Sequence, residues 1–289
     1  MGIDIHALNF LRYVSKKQKL GTVATLGRQS LLVPRRDLAR FTGISWKDAE
    51  LGLFSEELFK KHFGATLVDS YDYSDYEGAT HVVDLGKPMV PEKQYDTIID
   101  CGTVEHIFNV SQALRNLSSL CASGGQIVHV LPANNFCGHG FWQFSPELFF
   151  SLYSDASGYR ETEVFLADLN DARKWFEVKQ PKDGRRAEVV SSSPLYVMCR
   201  TIKLGNDFPE SIQQSDYIYH WDSAYTNQHQ SGLVPTLKNA IKARPSLYRF
   251  GVRTRVFARR ILDRITSPTC LSDRNRHLRK FNVSDLLIG

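Results

Sequence analysis

The chain has 289 residues, 42% of them hydrophobic and 23% charged. That is an ordinary globular composition with room for one or two domains, which excludes a collagen-like fibre, a mostly disordered chain and a small disulfide scaffold. The net charge of +5 conceals a split: residues 235–289 hold 13 Lys/Arg against three Asp/Glu, while the preceding residues hold 23 against 28, which predicts two parts with different partners. No run reaches the roughly 18–20 unbroken apolar residues of a membrane span. Asp4 and His6 interrupt any leader-like apolar stretch at the start, so no signal peptide is expected. The five scattered cysteines predict reduced thiols and a cytoplasmic setting.

In chain order, the sequence predicts an N-terminal amphipathic helix within residues 1–20, with Ile5, Leu8 and Leu11 on one face and Phe10 beside them. Gly21 opens a strand over residues 22–26 that ends at Gly27. Residues 55–64 carry a helix start and stop. Ser55 is placed to cap the first amides, acidic residues fill the first turn, lysines the last, and Gly64 suits a left-handed terminator. Short, nearly continuous apolar runs follow at 65–70, 80–83, 97–101 and 126–131, the pattern of strands buried on both faces. A helix is predicted over 110–121, with Ala113, Leu114, Leu117 and Leu120 as its stripe, and Gly124-Gly125 turning after it. Ser145-Pro146-Glu147 starts another helix. Two late strands, 163–166 and 195–202, flank a polar stretch predicted as a long loop. Residues 206–232 show no clear period, and residues 236–265 return to helical spacing with many arginines.

Alternating strands and helices predict an α/β protein: a doubly wound, mostly parallel sheet with an antiparallel edge hairpin, plus a basic helical C-terminal extension. The expected divisions are residues 1–20, the N-terminal helix; 21–204, the α/β domain; and 205–289, the extension. In such a sheet, ligands bind beyond the carboxyl ends of the strands, where strand order reverses. Small, acidic and histidine residues concentrate at those ends: Gly27-Arg28, Asp69 to Asp72, Asp84-Leu85, Gly102 to His106, and the loop containing His139.

Residues 95–107, Tyr-Asp-Thr-Ile-Ile-Asp-Cys-Gly-Thr-Val-Glu-His-Ile, with the leucine-rich helix and the Gly124-Gly125 turn that follow, resemble the class I, Rossmann-like S-adenosylmethionine-dependent methyltransferases. The resemblance is best over residues 65–150 and looser from 21 to 203. It implies S-adenosylmethionine as cofactor and methyl transfer as activity. It also implies that Asp72, with Asp69 as second choice, bonds the ribose hydroxyls, that Asp84 and Leu85 meet the adenine, and that Gly102 and Thr103 let the cofactor pass close to the fourth strand. The family's glycine-rich first turn is reduced here to Gly27, followed by Arg28, Gln29 and Ser30. A guanidinium at position 28 suits the methionine carboxylate. That departure leaves a catalytically silent methyltransferase-like binding module as the alternative.

His139, on a glycine-flanked loop beyond the fifth strand, is the expected catalytic base, and His106 of the Glu-His pair is the second candidate, since histidine titrates near neutrality. No Cys-x-x-Cys or His-x-x-x-His pair is present, so no metal site is expected. Neither a P-loop nor a Gly-x-Ser-x-Gly elbow occurs. The expected acceptor is a small molecule or glycan. A nucleic acid is not expected, because the core is acidic. The basic tail is expected to touch an anionic membrane surface, making the protein peripheral to the membrane.

Overall fold

The structure, a computed structural model, describes residues 2–43, 52–205, 208–228 and 269–288, with isolated residues between 246 and 258. Eleven strands and seven helices are defined among the described residues. In chain order these are β1 (Gly2–Ile3), α1 (Ile5–Lys17), β2 (Gly21–Leu26), β3 (Ser30–Leu31), α2 (Arg35–Thr42), α3 (Glu56–His62), β4 (Ala65–Asp72), β5 (His81–Val82) and β6 (Tyr95–Cys101). Then follow α4 (Val110–Leu120), β7 (Cys121–Asn134), α5 (Pro146–Leu152), β8 (Tyr159–Asp168), β9 (Lys174–Val178), β10 (Leu195–Lys203), α6 (Ser215–Gln228), β11 (Leu278–Asn282) and α7 (Val283–Ile288).

Nine strands form one sheet in the order β11-β9-β8-β10-β7-β6-β2-β4-β5. The five strands from β5 to β7 are parallel to one another, and the remaining pairings, β7 to β10 through β9 to β11, are antiparallel. The chain runs outward from β2 through β4 to β5, then returns to build β6 and β7 on the other flank of β2. Strand order therefore reverses between β2 and β6, which places a crevice over their carboxyl ends.

The central parallel strands β2, β6 and β7 are buried on both faces because helices cover both, while Leu67 of β4 and Val82 of β5 stay exposed toward the edge. Neighbours Ile98 and Ile99 are each fully buried, yet Ile98 packs in the cluster of α4 and α5, and Ile99 in that of α1 and α3. That is the period-two geometry of a strand between two layers. Asp4 caps α1 by accepting the amide of Ala7 at 2.9 Å, and Ser145 caps α5 through Glu147. Ser55 does not cap α3: it is itself helical and makes no side-chain cap bond, so Glu56 and Glu57 alone compensate the first turn. Gly64 is left-handed, as its position predicts.

The antiparallel part is wider than a hairpin. β8 and β10 pair as expected, but β10 lies inside the sheet against β7, and β9 and β11 extend the far side. β9 falls within the stretch predicted as a loop, and α6 within residues that showed no period. Residues 278–288, read by composition as extension, supply the edge strand β11 and α7. Val283 and Leu287 of α7 pack in the same cluster as α1. The basic helical stretch predicted over 236–265 lies largely outside the described residues. Among the described residues, no helix is long and apolar enough to cross a membrane.

α1 is anchored by Phe10, whose ring is fully buried and meets Tyr13, Phe165 and Trp175 with ring centres 5.7–6.1 Å apart. Phe10→Ala is expected to lower the unfolding free energy by about 3–5 kcal/mol, the cost of a large aromatic cavity. Urea denaturation followed by circular dichroism measures it. A loss below about 1 kcal/mol would mean that α1 is not part of the folded core.

Candidate active site

The site grows from the ends of the parallel strands. At the end of β6, Asp100 is completely buried. Its Oδ1 accepts the backbone amides of Thr103 and Val104 at 3.1 and 3.4 Å, and its Oδ2 lies 2.9 Å from Nδ1 of His129 on β7. The far nitrogen of His129 meets the Tyr153 hydroxyl at 2.7 Å. This network fixes the turn through Gly102 and delivers Thr103 and His106 to the crevice, with Val104 and Glu105 buried behind them. Thr103 donates its hydroxyl to the Leu26 carbonyl at 2.6 Å, tying the ends of β2 and β6 together.

At the end of β2, Gly27 adopts φ +69°. A Cβ there would lie 3.0 Å from Oγ1 of Thr103 and 3.7 Å from Oδ2 of Asp72, so glycine keeps this turn low. The Arg28 amide points to Asp72 Oδ2 at 3.3 Å. The Arg28 side chain does not stand where an arginine for a methionine carboxylate was expected. Its Nε pairs with Glu56 at 2.7 Å, its Nη1 donates to the carbonyls of Glu77 and Gly78, and its guanidinium lies 4.0 Å above the Phe54 ring. Its charge is already matched, and its role here is to fasten the loops beyond β2 and β4.

The two acidic candidates on β4 separate cleanly. Asp69 is buried and holds Lys93 at 2.6 Å and the Tyr95 hydroxyl at 2.8 Å. Burial works to raise its pKa, but those hydrogen bonds outweigh it and keep the carboxyl below its usual range. Asp72 is partly exposed and receives only backbone amides, from Arg28 and Tyr73. It opens onto a cleft of about 350 Å³. Val83, Asp84 and Leu85 from beyond β5, and Thr103 and His106 from beyond β6, line the same cleft. Gly27 and Gly102 shape the turns next to it without lining it. Asp84 accepts the Gly86 amide at 3.0 Å and has Lys87 at 3.3 Å.

Phe108 and Phe141 complete the cleft's rim. They are 79% and 68% exposed, and they meet edge to face with ring centres 6.2 Å apart. Trp142 stands beside Phe108 at 6.5 Å. Scattered aromatics in the sequence carry no period that separates a rim from a core: Phe141 and Trp142 are exposed here, while Phe144 is buried.

At the other edge stands a buried carboxylate. Glu105 is 0% exposed, and neither of its oxygens has a hydrogen-bond partner. Burial, with the charge of Asp100 adding to it, pushes its pKa up to about 8. Nε2 of His139 lies 3.5 Å from Glu105 Oε1, and Nε2 of His106 lies 3.7 Å from the same atom. The two histidine rings are 5.1 Å apart. Burial and then the neighbouring His139 pull the His106 pKa down. Sequence reasoning picked both histidines but not the acid between them, although Glu105 directly precedes His106.

Backbone clamps hold His139 there. The amides of Phe141 and Trp142 both donate to the Glu105 carbonyl, at 2.7 and 3.2 Å, and the Trp142 indole donates to the Ile107 carbonyl at 3.0 Å. Gly140, at φ +71°, presses so close that a Cβ would lie 2.9 Å from both Cγ and the carbonyl oxygen of Glu105. Gly140→Ala is therefore expected to cost about 1–3 kcal/mol, from the left-handed backbone and the collision together. Chemical denaturation reads the loss. A change within about 0.5 kcal/mol would show that the loop is not clamped onto Glu105.

No protein-family model matches the chain, and no curated protein does. Among solved structures it is similar to the N-methyltransferase NodS from Bradyrhizobium japonicum, at 12% identity over 69% of this chain and 94% of that one, with a TM-score of 0.39. It is similar to an S-adenosylmethionine-dependent methyltransferase from Thermotoga maritima at 13% identity, over 69% of this chain and 91% of that one, TM-score 0.38. It is similar to the O-MT segment of StiE at 14% identity, over 77% of this chain and 81% of that one, TM-score 0.40. Likenesses at this level carry no argument about what this chain does. The mostly parallel sheet with a cleft over the ends of β4, β5 and β6 is the α/β fold that the sequence predicts.

Proposed function

We propose that the chain binds S-adenosylmethionine in the cleft and catalyses methyl transfer to a small-molecule or glycan acceptor. One observation carries the reading: Asp72 and Asp84 at the ends of adjacent strands face one cleft at the strand-order reversal, and Asp72 holds no side-chain partner there. A carboxylate in that position accepts both ribose hydroxyls. The volume is within the range of small-ligand pockets. The cofactor, when bound, supplies an electrophilic methyl group on a sulfonium.

The chain's own residues divide the remaining work. Asp72 fixes the ribose, and the backbone amides of Arg28 and Tyr73 hold the Asp72 carboxylate still. Val83 and Leu85 offer apolar cover for the adenine, and Asp84 offers an acceptor at its edge. Thr103, pinned to Leu26, keeps the floor between the strands narrow. His106 and His139 stand at the acceptor side with their Nε2 atoms turned toward Glu105, and Phe108, Phe141 and Trp142 present flat faces at the rim. Exposed aromatic faces suit an acceptor with a ring, a sugar included.

Asp72→Ala tests the reading. Losing charge-assisted hydrogen bonds costs about 1.5–3 kcal/mol, so the dissociation constant for S-adenosylmethionine is expected to rise roughly tenfold or more. Titration calorimetry measures it, with the circular dichroism spectrum unchanged. An unaltered dissociation constant would remove Asp72 from the binding site.

A further inference from the structure

We propose that Glu105, His106 and His139 bind one divalent transition-metal ion at the acceptor edge of the cleft. Two imidazoles and a carboxylate are a donor set that such ions favour, and it leaves coordination positions open. The three donor atoms lie within 4.8 Å of one another. Both histidine nitrogens approach the same oxygen, at 3.5 and 3.7 Å. Those separations are too long for hydrogen bonds. They are close to the roughly 3.4 Å expected between two donors on a tetrahedral ion with bonds of about 2.1 Å.

A second observation points to the same ligand. Glu105 is fully buried, and both its oxygens lack a donor. An unpaired buried carboxylate is costly, and such groups are found paired or coordinating a metal. The amides of Phe141 and Trp142 go to the Glu105 carbonyl instead of its side chain. Those two bonds and the bare Cα of Gly140 hold His139 against the carboxylate. The arrangement fixes three donors around one point, with no other residue's donor, among the described residues, within hydrogen-bond distance of the carboxylate oxygens.

The ion has a use on the methyl-transfer reading, on which this part rests. His106 also lines the cleft, so the open coordination positions face the place where an acceptor enters. An acceptor hydroxyl held by the ion is oriented and made more acidic. On this assignment His106 and His139 act as ligands through Nε2, and the ion takes over the activation otherwise given to a histidine base.

The test is zinc titration of tag-free, chelator-treated full-length protein by calorimetry, with cobalt substitution to read the coordination by absorption. One equivalent of zinc is expected to bind. His139→Ala and Glu105→Gln are each expected to weaken it by at least about 100-fold, and the exposed Cys137→Ser to leave it unchanged. His139 is half exposed, so its variant folds even if Glu105→Gln does not, and circular dichroism verifies both. No zinc bound by the wild type, or binding that survives in His139→Ala, overturns the proposal. S-adenosylmethionine binding is measured on the same samples. If it fails while zinc binds through these residues, the cofactor reading falls and the metal site stands.

Discussion

A charge with no exposed surface organises this molecule's working end. Asp100 terminates β6 and is satisfied on both sides, by the amides of Thr103 and Val104 and by His129, which Tyr153 backs in turn. A buried ion that loses its partner is strongly destabilising, so this set stands or falls together. It ties β6 to β7, closes the turn at Gly102, and sends the chain into the short helical turn that carries Glu105 and His106. The same carboxylate raises the pKa of Glu105, after burial itself. One buried group thus sets both the position and the electrostatic condition of the next.

The crevice has two chemically different ends. Toward β4 and β5 it offers partly exposed carboxylates, Asp72 and Asp84, and apolar side chains. Toward β6 it offers the His106 imidazole, gathered with His139 on the buried Glu105, beside an aromatic rim. The Arg28–Glu56 pair keeps these ends distinct. Had the guanidinium turned toward Asp72, it would have neutralised that carboxylate. Its backbone amide goes to Asp72 while its charge is neutralised elsewhere. The reduced glycine turn after β2 is compatible with a cleft for this reason: the side chain at position 28 points away from it.

Much of this architecture was legible in the sequence because burial on both faces writes a nearly continuous apolar run, as at Ile98-Ile99 of β6 and residues 127–131 of β7. Elements that pack on one side or at an edge write no such signal. β11 sets Arg279 and Lys280 side by side between Leu278 and Phe281, the charged dress of an edge strand, and β9 is a short piece within a polar stretch. α6 mixes tyrosines, a tryptophan, aspartates and a histidine with no apolar stripe. Asp72, Asp84, Leu85 and Thr103, picked from their places after strands, line one cleft. The partnership of Arg28 with Glu56 was not legible, since its two members are brought together only by the loop over Phe54. The grouping of Glu105, His106 and His139 was equally hidden. No short motif joins donors that meet only when the loop after β7 folds back onto the turn after β6.

The central claim is that one cleft joins a nucleoside-binding end to the imidazole-bearing edge. A crystal structure of the protein with S-adenosylhomocysteine tests it most directly. The account predicts the ribose hydroxyls at about 2.5–3.0 Å from the Asp72 carboxylate, the adenine against Leu85 and Val83, and the sulfur on the side of His106 and His139. A ligand lodged elsewhere, with Asp72 still holding only the amides of Arg28 and Tyr73, would contradict it.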